Sequence, residues 1–201
     1  IIYNKITNAI DPNPWVNEAI QRSSCLPQVE LKADDLIISS DVDEIPNPDL
    51  LKNTSWVEDQ KLYVFLQLMY YYNLHTRYED RPNGFWTGSR IVRYATIEKN
   101  NFTLSDLRHM SNRLQVVEVP NGGWQYSYFG GAESIKNKIE AFSHQEFNSD
   151  LYKNSIGDNV DAKRDLFFRD NVKLTRTPIT EDFHPKYVVE NADSDLIKKF
   201  I

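Results

Sequence analysis

Asp34-Asp35-Leu36-Ile37-Ile38-Ser39-Ser40-Asp41-Val42-Asp43-Glu44-Ile45-Pro46 is an apolar run that ends in a cluster of carboxylates and is closed by a proline. Leu36, Ile37 and Ile38 read as a buried strand, and Pro46 stops its continuation. The strand delivers Asp41, Asp43 and Glu44 together at its carboxyl end, where open α/β sheets hold their ligands. On an extended backbone, two aspartates separated by one residue point to the same side. Close carboxylates repel, so one must take up a proton or the pair must take up a cation. A hard divalent ion with oxygen ligands relieves the repulsion most directly. An Asp-x-Asp alone is more often a solvated turn. The apolar strand before it and the proline after it favour a metal or phosphate role here.

The 201 residues read as a single domain, 1–201, large enough to bury a core. No internal repeat and no low-complexity segment is visible. The longest apolar stretch, Leu62 to Tyr72, is too short and too polar to cross a bilayer, so no transmembrane segment is expected. A net charge of −6 argues against nucleic acid as a partner, since that binding rests on many Lys and Arg contacts to phosphate. A metal would soften the acidity locally and admit an anionic substrate. Cys25 is the single cysteine, which excludes an internal disulfide and a cysteine-rich zinc site and suits a reducing, cytoplasmic compartment. The sequons at Asn53 and Asn101 matter only if an unseen leading segment sends the chain to a secretory lumen or the Golgi. The chain begins at Ile1 and not at methionine, as a processed product, an excised domain or a protein with its start elsewhere would.

Along the chain, Ile1 to Tyr3 reads as the end of a strand. Asn13 and Pro14 cap a helix from Pro14 to about Ser24, with Trp15, Ala19 and Ile20 inward and Pro27 as its stop. A short helix follows over Pro48 to Leu51 or Lys52. Lys61 to Leu74 reads as one or two core strands, and His75 to Asn83 as a loop. Phe85 to Val92 suggests a strand, Thr103 to Arg108 a helix, and Val116 to Val119 another strand. Asn121 to Glu133 sets an aromatic strand between two glycine pairs and leads into an amphipathic helix with Ile135, Ile139 and Phe142 on one face. Glycine pairs permit tight backbone and close ligand approach. Beyond Asn148 the pattern suggests loops and short strands, with a last helix after Asp193.

The Asp34–Pro46 signature resembles that of glycosyltransferase family 17, which includes the transferase that adds bisecting N-acetylglucosamine, with bacterial and viral relatives. Further blocks resemble the family in the same order. These are Trp15, Glu18 and Gln21-Arg22; Tyr70-Tyr71-Tyr72-Asn73-Leu74 and Trp86-Thr87-Gly88; Gly122-Gly123-Trp124; Tyr128-Phe129-Gly130-Gly131; Ile135 and Lys138-Ile139; Phe142-Ser143-His144-Gln145-Glu146; Asp165-Leu166-Phe167; and Pro185-Lys186-Tyr187 with Asn191. Gln125 departs from the family, which usually has histidine there. The strand and helix that usually precede the equivalent of Ile1 are missing, which implies a truncated chain or a reduced nucleotide pocket.

The resemblance implies an α/β fold of GT-A type, with a mostly parallel central sheet flanked by helices. It implies one catalytic domain that moves N-acetylglucosamine or a related hexose from a UDP-sugar to a glycan or glycoprotein hydroxyl, with inversion. Mn²⁺ or Mg²⁺ would be held by Asp41, Asp43 and His144, with His184 the alternative third ligand, and would stabilise the departing diphosphate. Asp41, Asp43 and Arg22 would bind the nucleotide cofactor side, and Glu44 would support them. Trp124, Gln125, Gly130, Gly131 and Trp86 would bind substrate. Glu133, in a turn similar to the Gly-Gly-Glu-Asp turn of β-1,4-galactosyltransferases, would be the catalytic base. Two other functions compete: a carbohydrate-binding module built on the aromatic residues, and a metal-dependent phosphoesterase acting on nucleotide sugars.

Overall fold

The computed structural model describes residues 6, 11–26, 30–79, 84–109 and 113–201. The strand expected at Ile1–Tyr3 and the helix stop at Pro27 lie outside them. Helix α1, Pro14–Ser23, starts as its sequence dictates: Asn13 Oδ1 accepts the Trp15 N–H at 3.0 Å and Pro14 opens the first turn. Its apolar face is not inward, however. Trp15 is 40% and Ile20 37% exposed, and no residue of α1 is buried. Polar contacts from Glu18 and Arg22 hold the helix instead.

Strand β1, Leu36–Ser39, is followed by a turn in which the Glu44 N–H donates to Asp41 O at 3.0 Å. The chain then enters β2, Glu44–Pro46, and the short helix α2, Pro48–Leu51, capped by Asn47. Strand β3, Lys61–Tyr71, is the central and most buried strand, as its run of large apolar residues, interrupted only by Gln67, implies. Strand β4, Thr76–Glu79, occupies the stretch expected as loop. Strand β5, Arg90–Arg93, runs directly into helix α3, Tyr94–Asn100, and then α4, Leu104–His109. Strand β6, Gln115–Ser127, merges the two strands expected on either side of Asn121. Helix α5, Gly131–Ala141, buries Ile135 and Ile139 as the spacing predicts. The remainder is mostly loop and turn, with four short α-helices and one strand: α6, Asp150–Asn154, and α7, Ile156–Asp161, precede strand β7, Lys173–Arg176, and α8, Lys186–Glu190, and α9, Asp195–Lys198, follow it.

The fold is α/β, but the sheet is mostly antiparallel, which corrects the expected parallel arrangement. The order is β1-β5-β3-β4-β7, with β6 beside β3 and β2 beside β6. Among the described strands, β3 with β6 is the one parallel pair. Connection length explains this. Four residues between β3 and β4 allow only an antiparallel hairpin, whereas a parallel pair needs a crossover as long as the one linking β3 to β6. Antiparallel β5 lies between β1 and β3, so β1, β3 and β6 all run the same way. Their carboxyl ends therefore open on one edge, and the acidic turn is there.

Core packing fixes that edge. Met69, Tyr71, Tyr128, Ile135, Ile139 and Leu166 join the sheet to α5, while Leu62, Val64, Val92, Ile97 and Leu107 join it to α3 and α4. Among the described residues no helix is long and apolar enough to cross a membrane.

Candidate active site

The carboxyl ends of β1, β3 and β6 wall a cleft of about 630 Å³, lined by Asp41, Asp43, Glu44, Tyr71, Gln125 and Ser127 among others. Asp41 and Asp43 sit in a turn with Val42 fully exposed at its tip, so they do not project as neighbours on an extended strand. They reach different walls. Both Asp41 oxygens accept from Arg22 Nη2, at 3.0 and 3.1 Å, and Oδ2 also accepts from Arg108 Nη2 at 3.0 Å. Asp43 Oδ2 accepts from Lys138 Nζ at 2.6 Å and Gln125 Nε2 at 3.1 Å. Its Oδ1 carries no hydrogen bond among the described residues. The two carboxylates are thus paired with cations inside the cleft.

Glu44 supports this turn from below. Its side chain is 1% exposed, and Oε1 accepts from Trp86 Nε1 at 2.8 Å and Arg108 Nη2 at 2.6 Å. Oε2 accepts from the Asp41 N–H at 3.0 Å, Arg108 Nη1 at 3.1 Å and Ser89 Oγ at 3.3 Å. Burial pushes this carboxyl up, but the Arg108 guanidinium, Trp86 and the Asp41 amide outweigh it and hold it below the usual carboxylate range. The packing leaves no room for a side chain at Gly88, where a Cβ would lie 1.8 Å from Glu44 Oε1 and 2.2 Å from Trp86 Nε1. Glu44 is a support, as expected.

Helix α1 closes the adjacent wall. Arg22 Nη1 donates to Glu18 Oε1 at 2.6 Å, and Ser143 Oγ donates to Glu18 Oε2. Burial raises Glu18, but the Ser143 hydrogen bond and Arg22 together leave it below its ordinary value. Arg22 therefore stands next to the acidic turn.

The other expected site residues divide between two faces of the sheet. Side chains alternate along β6, so Gln125 faces the cleft and Trp124 faces the opposite side, where it lines a separate cavity with Asn47 and Phe183. Trp86 lines the cleft, with the Arg108 guanidinium 5.9 Å from the centre of its ring. Gly130 and Gly131, at φ of 93° and 81°, turn the chain from β6 into α5 and are not in the cleft wall. Glu133 is exposed in the first turn of α5, also outside that wall. Close approach at Gly123 serves strand pairing and not a ligand, since a Cβ would sit 2.1 Å from Ile45 O.

His144 lines the cleft, but among the described residues no three His, Cys, Asp or Glu side chains converge as metal ligands. The expected grouping of His144 with Asp41 and Asp43 is not formed. His144 Nδ1 is instead 2.7 Å from Glu146 Oε1, and its ring meets Trp15 edge-on at 4.6 Å. His184 is buried against Tyr70, with Tyr126 Oη 3.2 Å from Nδ1, so it is no alternative ligand. Trp15, Glu18, Arg90, Arg108 and Lys138 complete the cleft and were not singled out from sequence for it. Lys138 stands in a family-like block with no role assigned to it from sequence, whereas Arg108 follows no motif and reaches the site only through the tertiary fold.

A cation fits this site if substrate supplies most of its ligands. Asp43 is 23% exposed with one oxygen open, and Mg²⁺ or Mn²⁺ commonly takes one or two carboxylates plus phosphate oxygens. The sequence model of glycosyltransferase family 17 matches residues 1–168. No curated protein and no solved structure matches the chain.

Proposed function

Since the chain belongs to glycosyltransferase family 17, we propose that this cleft transfers a hexose, N-acetylglucosamine or a relative, from a UDP-sugar to a glycan hydroxyl with inversion, assisted by Mn²⁺ or Mg²⁺. Family membership makes the protein a glycosyltransferase, with a sugar donor and an acceptor as its partners. The reading of a GT-A type, metal-assisted reaction rests chiefly on one observation: the acidic turn opens into the cleft among Arg22, Arg108 and Lys138. That setting suits a substrate whose diphosphate is anionic and whose cation needs a carboxylate.

Asp43 would hold the cation through its open oxygen, with Asp41 near the nucleotide. The cation's contribution would be positive charge against the diphosphate that departs. Arg22 and Arg108 fix Asp41, and Glu44 fixes the turn, so the acidic residues are oriented before substrate arrives. Trp15, exposed at the rim, offers an aromatic face to a sugar in place of Trp124.

Inversion needs a base for the acceptor hydroxyl. Glu133 lies outside the cleft wall, and we assign the role to His144. A proton on Nδ1 shared with Glu146 leaves Nε2 free to accept one, the tautomer following from the carboxylate partner.

A panel of UDP- and GDP-sugars with Mn²⁺ or Mg²⁺ tests the reading by thermal shift and by slow donor hydrolysis. UDP and Mn²⁺ together should raise the melting temperature more than the sum of their separate effects. A panel in which no nucleotide sugar binds or turns over with either ion would reject it. Full Mn²⁺-dependent UDP binding by Asp43→Asn would reject the assignment of Asp43.

A further inference from the structure

Among the described residues, the cations of the cleft have carboxylate partners with one exception. Arg22 pairs with Glu18 and Asp41, Arg108 with Asp41 and Glu44, Lys138 with Asp43, and Arg169 with Asp165. Arg90 lines the same cleft and has no carboxylate within ion-pair distance. Its Nε is buried without a hydrogen-bond partner. Its Nη1 donates to Gly88 O, the same carbonyl that accepts from Arg108 Nη1 at 2.6 Å. Two guanidinium groups thus converge on one oxygen, and one of them has no direct ion pair, the Glu44 and Asp41 carboxylates acting on it only from longer range.

The fold forces this arrangement. Arg90 opens β5 directly across from Ser39, the last residue of β1, and so stands beside the point where the chain leaves the sheet for the acidic turn. The next two residues, Ile91 and Val92, are buried and hold the strand in place. A half-buried cation without a partner is costly, and a bound anion is the direct way to offset it. Burial, and then the neighbouring Arg108 charge, outweigh the pull of Glu44 and Asp41 and bring the Arg90 guanidinium down to about 10.

We propose that Arg90, with Arg108 beside it, is the seat of a phosphate group in this cleft and takes oxygen atoms of a pyrophosphate. The assignment of that pyrophosphate to a nucleotide-sugar donor rests on the function proposed above. Guanidinium suits the task because its planar fork donates two parallel hydrogen bonds to phosphate.

The test titrates wild type and Arg90→Gln with inorganic pyrophosphate at low salt and without divalent metal, by calorimetry and thermal shift. Pyrophosphate should bind and stabilise the wild type, and Arg90→Gln should bind it roughly ten- to a hundredfold more weakly. Without anion, Arg90→Gln should melt at or above the wild-type temperature, because it removes an uncompensated charge. Arg90→Lys, which keeps the charge and loses the fork, should fall between and decides the matter if the glutamine variant does not fold. Equal binding by all three proteins, or none by wild type at millimolar pyrophosphate, overturns the proposal. UDP titrated in parallel, both without metal and with Mn²⁺, separates the two inferences. Pyrophosphate binding lost in Arg90→Gln, without any UDP binding, leaves the anion seat standing and removes the nucleotide donor. UDP binding unchanged by the substitution does the reverse.

Discussion

Replacing Glu44 by Gln tests the central structural claim, that one buried carboxylate holds the acidic turn in place. The substitution keeps the shape and removes the charge. Glu44 accepts from five groups, split so that Oε1 faces Trp86 and Arg108 and Oε2 faces Asp41 N, Arg108 and Ser89. A glutamine NH₂ put in place of either oxygen would point a donor at donors. It would also leave Arg108, 14% exposed, with only Asp41 to balance it. Breaking a buried ion pair from one side costs about 3–5 kcal/mol. For a domain of this size about 1 kcal/mol moves the melting temperature by roughly 2–4 °C, so a fall of about 6–20 °C is expected. Circular dichroism melts and urea titrations of Glu44→Gln, Arg108→Met and the double variant measure both the loss and the coupling. A single-variant loss under about 1 kcal/mol, or additive losses in the double variant, would refute the network as the turn's anchor.

Gly88→Ala forces a methyl into the same network and should cost about 1–3 kcal/mol by overpacking, read as a lowered urea midpoint; wild-type stability would show that the network yields. His144→Gln, which removes the assigned base, should lower kcat roughly a hundredfold, while Glu133→Gln leaves it near wild type. Burial brings His184 down to about 4 from 6.5, so the neutral ring stabilises the fold fully above about pH 6.5. That stability drains away as pH falls towards 4, by about 3 kcal/mol. Urea unfolding at pH 7 and pH 4.5 should show the loss, and an unchanged midpoint would contradict it. Glu44, held below its ordinary value, contributes its loss only in more acid solution, below about pH 4.5.

What could be read from the sequence was whatever local chemistry determines. Asn13-Pro14 set the start of α1, Ile135 and Ile139 showed the buried face of α5, and the apolar run of β3 announced a central strand. The placement of the acidic turn with Asp41 and Asp43 at a ligand-bearing edge also followed, because it ends a strand whose carboxyl end meets those of β3 and β6, whereas Arg22 came only with the family resemblance. Sheet direction was misread because β4 falls in a stretch that reads as loop, which hid the short β3–β4 connection that forces an antiparallel pair. Trp124 was misleading for another reason. Its neighbour Gln125 faces the cleft, and a strand puts adjacent residues on opposite faces, so choosing between them requires the register. The exposed face of α1 was missed because amphipathic spacing measures a helix's capacity to bury apolar side chains, and here ion pairs from Glu18 and Arg22 decide its position. Arg90, Arg108 and Lys138 lie far apart in sequence and meet the acidic turn only in three dimensions.

An Asp-x-Asp pair suggests two carboxylates gripping one ion, but this turn divides them. Asp41 has both oxygens committed to arginine, while Asp43 shares one with Lys138 and Gln125 and keeps the other open. A site with a single available carboxylate oxygen cannot hold a divalent ion strongly by itself, since such ions need about six oxygen ligands. The missing ligands must come from water or from the phosphates of a substrate. Equally, a diphosphate entering the cleft meets cations already satisfied by carboxylates, apart from Arg90, and gains most when an added cation takes over part of that negative charge. Each ligand then improves the site for the other, and thermodynamic linkage makes the effect reciprocal. On this argument the arginine pairing of the acidic turn is compatible with the proposed metal-assisted transfer, for which mutually dependent binding of ion and nucleotide is the expected behaviour.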